Sequence, residues 1–188
     1  PSSPPPSSCS SGGLSGGLLI PMGDYTFTEN NWNGTSTQES YSSLVKMNYT
    51  YYNEFKNNTA VLFEGGFAAP QISFMDLNFM KFENKLDTSP FYGGGVGYYN
   101  FPRDDDFDRS NGGISFNLQA GLMLYRTYNM NVMLRAKFVQ VFNEDMNRSL
   151  MFDVGLQWKV NSPGPRKDTG YTRVVNRYPI LDIILDRN

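Results

Sequence analysis

The chain has 188 residues, a formal net charge of −2, 39% hydrophobic residues and 15% aromatic residues. That length suits one domain, and the near-neutral charge offers no broad basic field for nucleic acid. With no histidine and a single cysteine, Cys9, the chain lacks the material for imidazole triads, most zinc sites and an internal disulfide.

Residues 1–13, PSSPPPSSCSSGG, read as a Pro/Ser/Gly-rich N-terminal arm. The chain opens at Pro1 without an initiator Met or a signal peptide, so it is expected to be mature or trimmed. A first strand is expected from Leu14, where Leu14, Gly16, Leu18, Ile20 and Met22 alternate with small residues, followed by a polar loop over 26–40. A second strand covers about 41–55, with Val45, Met47, Tyr49 and Tyr51 opposite Lys46, Asn48 and Thr50. The turn Lys56-Asn57-Asn58 suits a left-handed backbone, which asparagine tolerates. The third strand, about 59–68, sets Val61, Phe63 and Phe67 against Leu62, Glu64 and Gly66. After Pro70 a fourth strand covers about 71–83, with Met75, Leu77 and Phe79 against Asp76 and Asn78 and a β-bulge plausible within it. A fifth, about 91–102, runs through Gly93-Gly94-Gly95, and a charged loop follows to Gly112.

The last three segments alternate almost without error. Ile114, Phe116, Leu118, Ala120, Leu122 and Leu124 oppose Ser115, Asn117, Gln119, Gly121, Met123 and Tyr125. Met130, Val132, Leu134, Ala136 and Phe138 oppose Asn131, Met133, Arg135, Lys137 and Val139. Leu150, Phe152, Val154, Leu156, Trp158 and Val160 oppose Ser149, Met151, Asp153, Gly155, Gln157 and Lys159. A period of two is that of a β-strand, and about 9–11 tilted residues cross a bilayer. No apolar run reaches the ~18–20 residues of a helical span, but a barrel places its apolar residues at every second position. The polar set is rich in Gly, Ser, Asn and Gln rather than in the dense Lys and Glu of a soluble sheet. Aromatics gather near strand ends at Tyr98, Tyr99, Phe101, Tyr125, Tyr128, Phe138, Phe142 and Trp158, as in an interfacial girdle.

The expected fold is therefore all-β: an antiparallel, up-and-down transmembrane β-barrel of eight strands over 14–160, with an arm (1–13) and a periplasmic tail (161–188). Connections after strands one and five are long, and those after two and six are very short. Long loops belong outside the cell and short turns in the periplasm, although the third connection, Ala68 to Gln71, is short for an external loop. The segments FYGGGVGYYNF (91–101), GGISFNLQAGLMLYR (112–126) and SLMFDVGLQWK (149–159) resemble the small bacterial outer-membrane barrels of the OmpA-like and OmpX-like kind. The resemblance covers about 14–160 and implies an outer-membrane location with periplasmic termini. Such barrels often end on an aromatic residue, whereas 28 residues follow Val160 here.

Inward-facing Lys46, Glu64, Asp76, Arg135, Lys137, Asp153 and Lys159 form a candidate lumen network. Adjacent strands would bring Arg135 or Lys137 to Asp153 and Lys46 to Glu64. An eight-stranded barrel is just wide enough for side chains to fill, and buried charges must be paired, so a salt-bridged plug is expected rather than a pore. Asp104, Asp106 and Asp108 offer alternating carboxylates for Ca²⁺, but the glycine and distal glutamate of an EF-hand loop are missing. The glycines of 93–97 are not followed by the helix or the Lys-Ser/Thr of a phosphate loop. The sequons at Asn33, Asn48, Asn57 and Asn147 arise readily by chance in an Asn-rich chain.

In the tail, Ile180, Leu181, Ile183, Ile184 and Leu185 form an apolar cluster that would either pack under the barrel or, as preferred here, dock on another subunit. The functional expectation is a non-enzymatic outer-membrane barrel, without cofactor, that anchors an envelope assembly. It would meet membrane lipid through its wall and other envelope proteins through 1–13 and 161–188. The alternatives are a small-solute pore or transporter, a soluble lipocalin-like barrel with its faces reversed, and an adhesin using the Asn- and Asp-rich loops.

Overall fold

The computed structural model describes residues 9–23, 26–30, 36–40, 42–55, 57–69, 72–101, 111–126, 128–143 and 146–161. Ten strands are present: β1 (Cys9–Pro21), β2 (Thr26–Asn30), β3 (Ser36–Ser40), β4 (Leu44–Glu54), β5 (Thr59–Ala68), β6 (Ile72–Phe82), β7 (Ser89–Phe101), β8 (Asn111–Leu124), β9 (Met130–Phe142) and β10 (Arg148–Asn161). Eight of them close into a barrel in the order β1-β10-β9-β8-β7-β6-β5-β4, every neighbour antiparallel and β1 returning to β4. Strands β2 and β3 pair only with each other, so a hairpin stands where a plain polar loop over 26–40 was expected.

The first strand begins at Cys9, five residues before its expected start. Residues 9–13, expected as part of the arm, pair with 50–54 of β4, and 10–13 pair with β10 as well. Small Ser and Gly residues have no apolar alternation to betray a strand, yet their backbone completes the ladder on both sides. The one register irregularity in the β1–β10 ladder lies between Ser10 and Ser11. β6 carries no bulge: its burial alternates without interruption from Ile72 to Phe82.

Outward-facing residues are apolar. Val45, Phe79, Ile114, Leu118 and Val154 stand exposed on the wall. On the described barrel strands the outward charges are Lys81 at one margin and Arg148 at the other. Tyr98, Phe142 and Trp158 lie on this outer face. Tyr99 and Phe101, expected in the girdle, instead point inward and are buried, because they share the inward parity of Gly93, Gly95 and Gly97.

The two ends of the barrel differ. One carries the connections 22–43, 69–71, 102–110 and 143–147; the other carries the short turns 55–58, 83–88 and 125–129 and the start of β1. At the first short turn Asn58 adopts φ 62°, and Asn57 Oδ1 accepts hydrogen bonds from Thr59 N at 3.3 Å and Thr59 Oγ1 at 2.5 Å. The side-chain amide thereby fixes the reversal that the Asn pair implied.

Candidate functional site

The inward face of β6 shows how the lumen is layered. Ile72 and Phe74 are apolar, Asp76 and Asn78 polar, Met80 and Phe82 apolar again, and all six are buried. Apolar side chains gather at both ends of the lumen on other strands as well. At the loop-rich end Leu19, Leu44, Ile72, Phe74, Phe101 and Val141 belong to one apolar cluster. At the other, Tyr52, Leu62, Met80, Phe82, Phe91 and Met133 belong to a second. These plugs were not anticipated, although part of the signal was present: the inward rows of β5 and β6 are polar only in their middle.

Between the plugs lie three cations and three carboxylates, all with side chains 0% exposed. Asp153 accepts from Lys46 Nζ at 2.8 Å and from Arg135 Nη2 at 2.5 Å. Arg135 Nη2 also lies 2.5 Å from Glu64 Oε2. Lys137 Nζ bridges Glu64 Oε1 and Asp76 Oδ2, the latter at 2.7 Å. Charges sum to zero, and polar neighbours complete the layer. Tyr99 Oη donates to Asp76 Oδ2 at 2.8 Å, Asn117 Nδ2 to Asp76 Oδ1 at 3.3 Å, and Arg135 Nη1 to Gln119 Oε1 at 3.2 Å. The ammonium of Lys46 also sits 5.0 Å from the centre of the Phe74 ring. The side chains of Asn78 and Ser115 hydrogen-bond no described protein group.

Glycine makes room for this layer. Gly97 is the cross-strand partner of Asp76, and the Asp76 carboxylate occupies the place a methyl group on Gly97 would take. Gly17 has Lys46 as its partner on one side and Asp153 on the other, so the two charges meet across a position without a side chain.

Six of the seven residues expected in the lumen network thus come together, with one pairing corrected. Lys46 binds Asp153 rather than Glu64, because β1 intervenes between β4 and β10 and places both partners level with Gly17, whereas Lys46 and Glu64 face Ala68 and Thr50 in the β4–β5 ladder. Lys159 is not part of the layer; it is half-buried near the end of β10, where its backbone N donates to Asn129 O at 2.9 Å. Asp104, Asp106 and Asp108 lie outside the described residues, as do Ile180, Leu181, Ile183, Ile184 and Leu185.

A second charged cluster had no forecast. Arg126, buried at the short-turn end, pairs with Glu54 at 2.6 Å and lies 3.9 Å over the Phe82 ring. It donates to Ser89 Oγ at 3.2 Å and to Asn84 O, tying β4, the 83–88 turn and the start of β7 to the connection after β8. The backbone reverses at Tyr125, φ 57°, which swings Arg126 over the barrel mouth.

No known protein family matches the sequence, and no curated protein does. Solved structures with the same fold include Neisserial surface protein A, at TM-score 0.53 and 10% identity over 80% of this chain and 96% of that one. The N-terminal β-barrel domain of Pseudomonas aeruginosa OprF matches at TM-score 0.51 and 14% identity, over 79% and 97%. The outer membrane protein OprG of the same organism matches at 0.50 and 11%, over 83% and 97%. At such identities the likeness carries the architecture, a closed eight-stranded barrel of the outer-membrane type.

Proposed function

We propose that this outer-membrane-type barrel is a non-catalytic membrane anchor whose lumen conducts nothing and whose ends and extensions do the functional work. The observation that carries this reading is the layered lumen: a charge-neutral, mutually paired centre held between two apolar plugs. A hydrated ion crossing it would have to leave water at each plug and break buried ion pairs between them, each charge costing several kcal/mol to strand. The same pairing argues against catalysis, since the six central charges are all engaged with one another.

The outward face supports residence in a bilayer, because an apolar wall with its charges at the margins is what lipid tolerates. It runs against the lipocalin-like alternative, which needs the apolar rows inside. The two long connections, 22–43 and 102–110, leave the same end of the barrel and support an orientation with that end outside and both termini periplasmic. Partner binding through the arm and the 180–185 cluster belongs to this proposal and rests on the sequence of the tail. Deleting 178–188 is expected to release co-purifying envelope proteins while the barrel stays folded; an unchanged set would end that part of the reading.

The test of the whole is a pair of measurements on protein extracted in mild detergent. An unboiled sample should run faster in SDS than a boiled one, and the folded protein should be silent in a planar bilayer. Steady conductance would establish the pore instead. Folding without detergent would remove the membrane reading altogether.

A further inference from the structure

Across the outer wall runs a groove that the anchoring role does not require. It has a volume of about 540 Å³, within the roughly 300–1,000 Å³ of small-molecule sites. Phe79, Val96, Phe116, Leu118 and Phe138 line it, and Gly94, which faces outward with no side chain, forms part of its floor. Gln140 is also in its lining, an unusual amide on an otherwise apolar surface.

Strand register shows where the groove leads. Phe79, Gly94, Leu118, Phe138 and Leu150 are successive cross-strand partners, and so are Leu77, Val96, Phe116, Gln140 and Arg148. The groove lies along these two rows. Arg148 opens β10 at the loop-rich end, whereas Phe79 lies near the far end of β6, so the rows cross the wall obliquely, as the stagger of a closed barrel demands. One end of the apolar groove therefore points to the guanidinium of Arg148, the outward charge at that margin of the described strands. Arg148 is exposed, and its Nε donates to Gln140 Oε1 at 2.7 Å. Gln140 is itself tethered to the loop, its Nε2 donating to Met146 O at 3.1 Å. The cation is thus held at the mouth of the groove.

We propose that this groove binds one anionic membrane lipid, its acyl chain along Gly94 between the aromatic walls and its phosphate on Arg148. The proposal rests on the membrane reading above and adds a defined lipid site to it. Charge complementarity selects the occupant: a bare acyl chain needs no guanidinium, and a free phosphate needs no groove. A cation at a membrane surface is worth about 1 kcal/mol toward anionic lipid, or about fivefold in affinity.

Native mass spectrometry of the full chain released from uncharged detergent micelles tests this, with phosphatidylglycerol or phosphatidylcholine of identical chains added. The wild-type protein should retain one phosphatidylglycerol about fivefold better than phosphatidylcholine. Arg148→Gln should abolish that preference, and Val96→Trp, which fills the groove from an exposed position, should lower retention of both lipids. Excess glycerophosphate, a headgroup without chains, should leave retention unchanged. Equal retention of the two lipids by the wild type, an unaltered preference in Arg148→Gln, undiminished binding in Val96→Trp, or displacement by glycerophosphate would each overturn the proposal. Both variants are checked for the heat-dependent gel shift first. Its absence in the wild type would overturn the membrane reading, and the lipid site with it, whereas its presence with indifferent lipid binding would overturn the lipid site alone.

Discussion

The centre of the lumen and its two ends are filled by the same strands at successive inward positions, yet they are held by opposite physics. At the ends, Phe82 meets Phe91 edge to face at 5.7 Å, a contact that many apolar side chains of similar volume could replace. In the centre each group depends on a particular partner: Asp153 is shared by Lys46 and Arg135, and Lys137 by Glu64 and Asp76. Beside the paired Arg126 and Glu54, the apolar clusters of the ends are tolerant of identity but not of polarity. The centre is tolerant of neither, and its specificity comes from charge balance rather than from shape.

The largest effect is expected at Asp153. Asp153→Ala leaves Lys46 without its carboxylate and Arg135 with only Glu64, and should cost about 3–5 kcal/mol. Urea unfolding of the refolded barrel in lipid vesicles measures this. Replacing Lys46 and Asp153 together by Met and Leu keeps the layer neutral and should cost markedly less than the single change. A double variant as unstable as Asp153→Ala would show that shape, not charge balance, rules the centre.

A smaller effect sharpens the contrast between lumen and wall. Val154 is the neighbour of Asp153 but faces outward, 59% exposed, near the middle of β10. Val154→Arg should cost about 2–4 kcal/mol in a bilayer, as arginine does near the midplane of a barrel wall. In a soluble protein the same exposed change would stay within about 0.5 kcal/mol, so the same unfolding assay separates the two environments. The mildest of the three concerns the room left by glycine. Gly97→Ala sets a methyl against the Asp76 carboxylate and should cost about 1–3 kcal/mol. Gly23→Ala is no useful control, since its φ of 151° carries a strain of its own. Ala120→Gly, on the exposed wall, should leave the unfolding midpoint nearer to that of the wild type than Gly97→Ala does.

Much of this was legible in the residues. Strict alternation separates wall from lumen, and it placed Lys46, Glu64, Asp76, Arg135, Lys137 and Asp153 on one face. The Arg135–Asp153 pair could be foreseen because the two residues are direct partners on consecutive strands. Lys46–Asp153 could not, since 107 residues separate them and only closure of the barrel brings them to either side of Gly17. Arg126 stayed hidden because it lies in a turn, where no periodicity applies, and its orientation depends on a reversal at Tyr125 that no turn signal marks. Residues 9–13 stayed hidden for a different reason: Ser and Gly pair through their backbone and leave no hydropathic trace.

One arrangement in the lumen bears on how the molecule is assembled. Arg135 and Asp153 are neighbours on one hairpin, but Lys46–Asp153, Arg135–Glu64, Lys137–Glu64 and Lys137–Asp76 all join strands that share no ladder. A partly zipped sheet, curled but still open along one seam, satisfies almost none of them. Its ions would face either water or hydrocarbon until the final seam shut. Closure therefore forms most of these pairs in a single late event, which gives insertion the character of a latch.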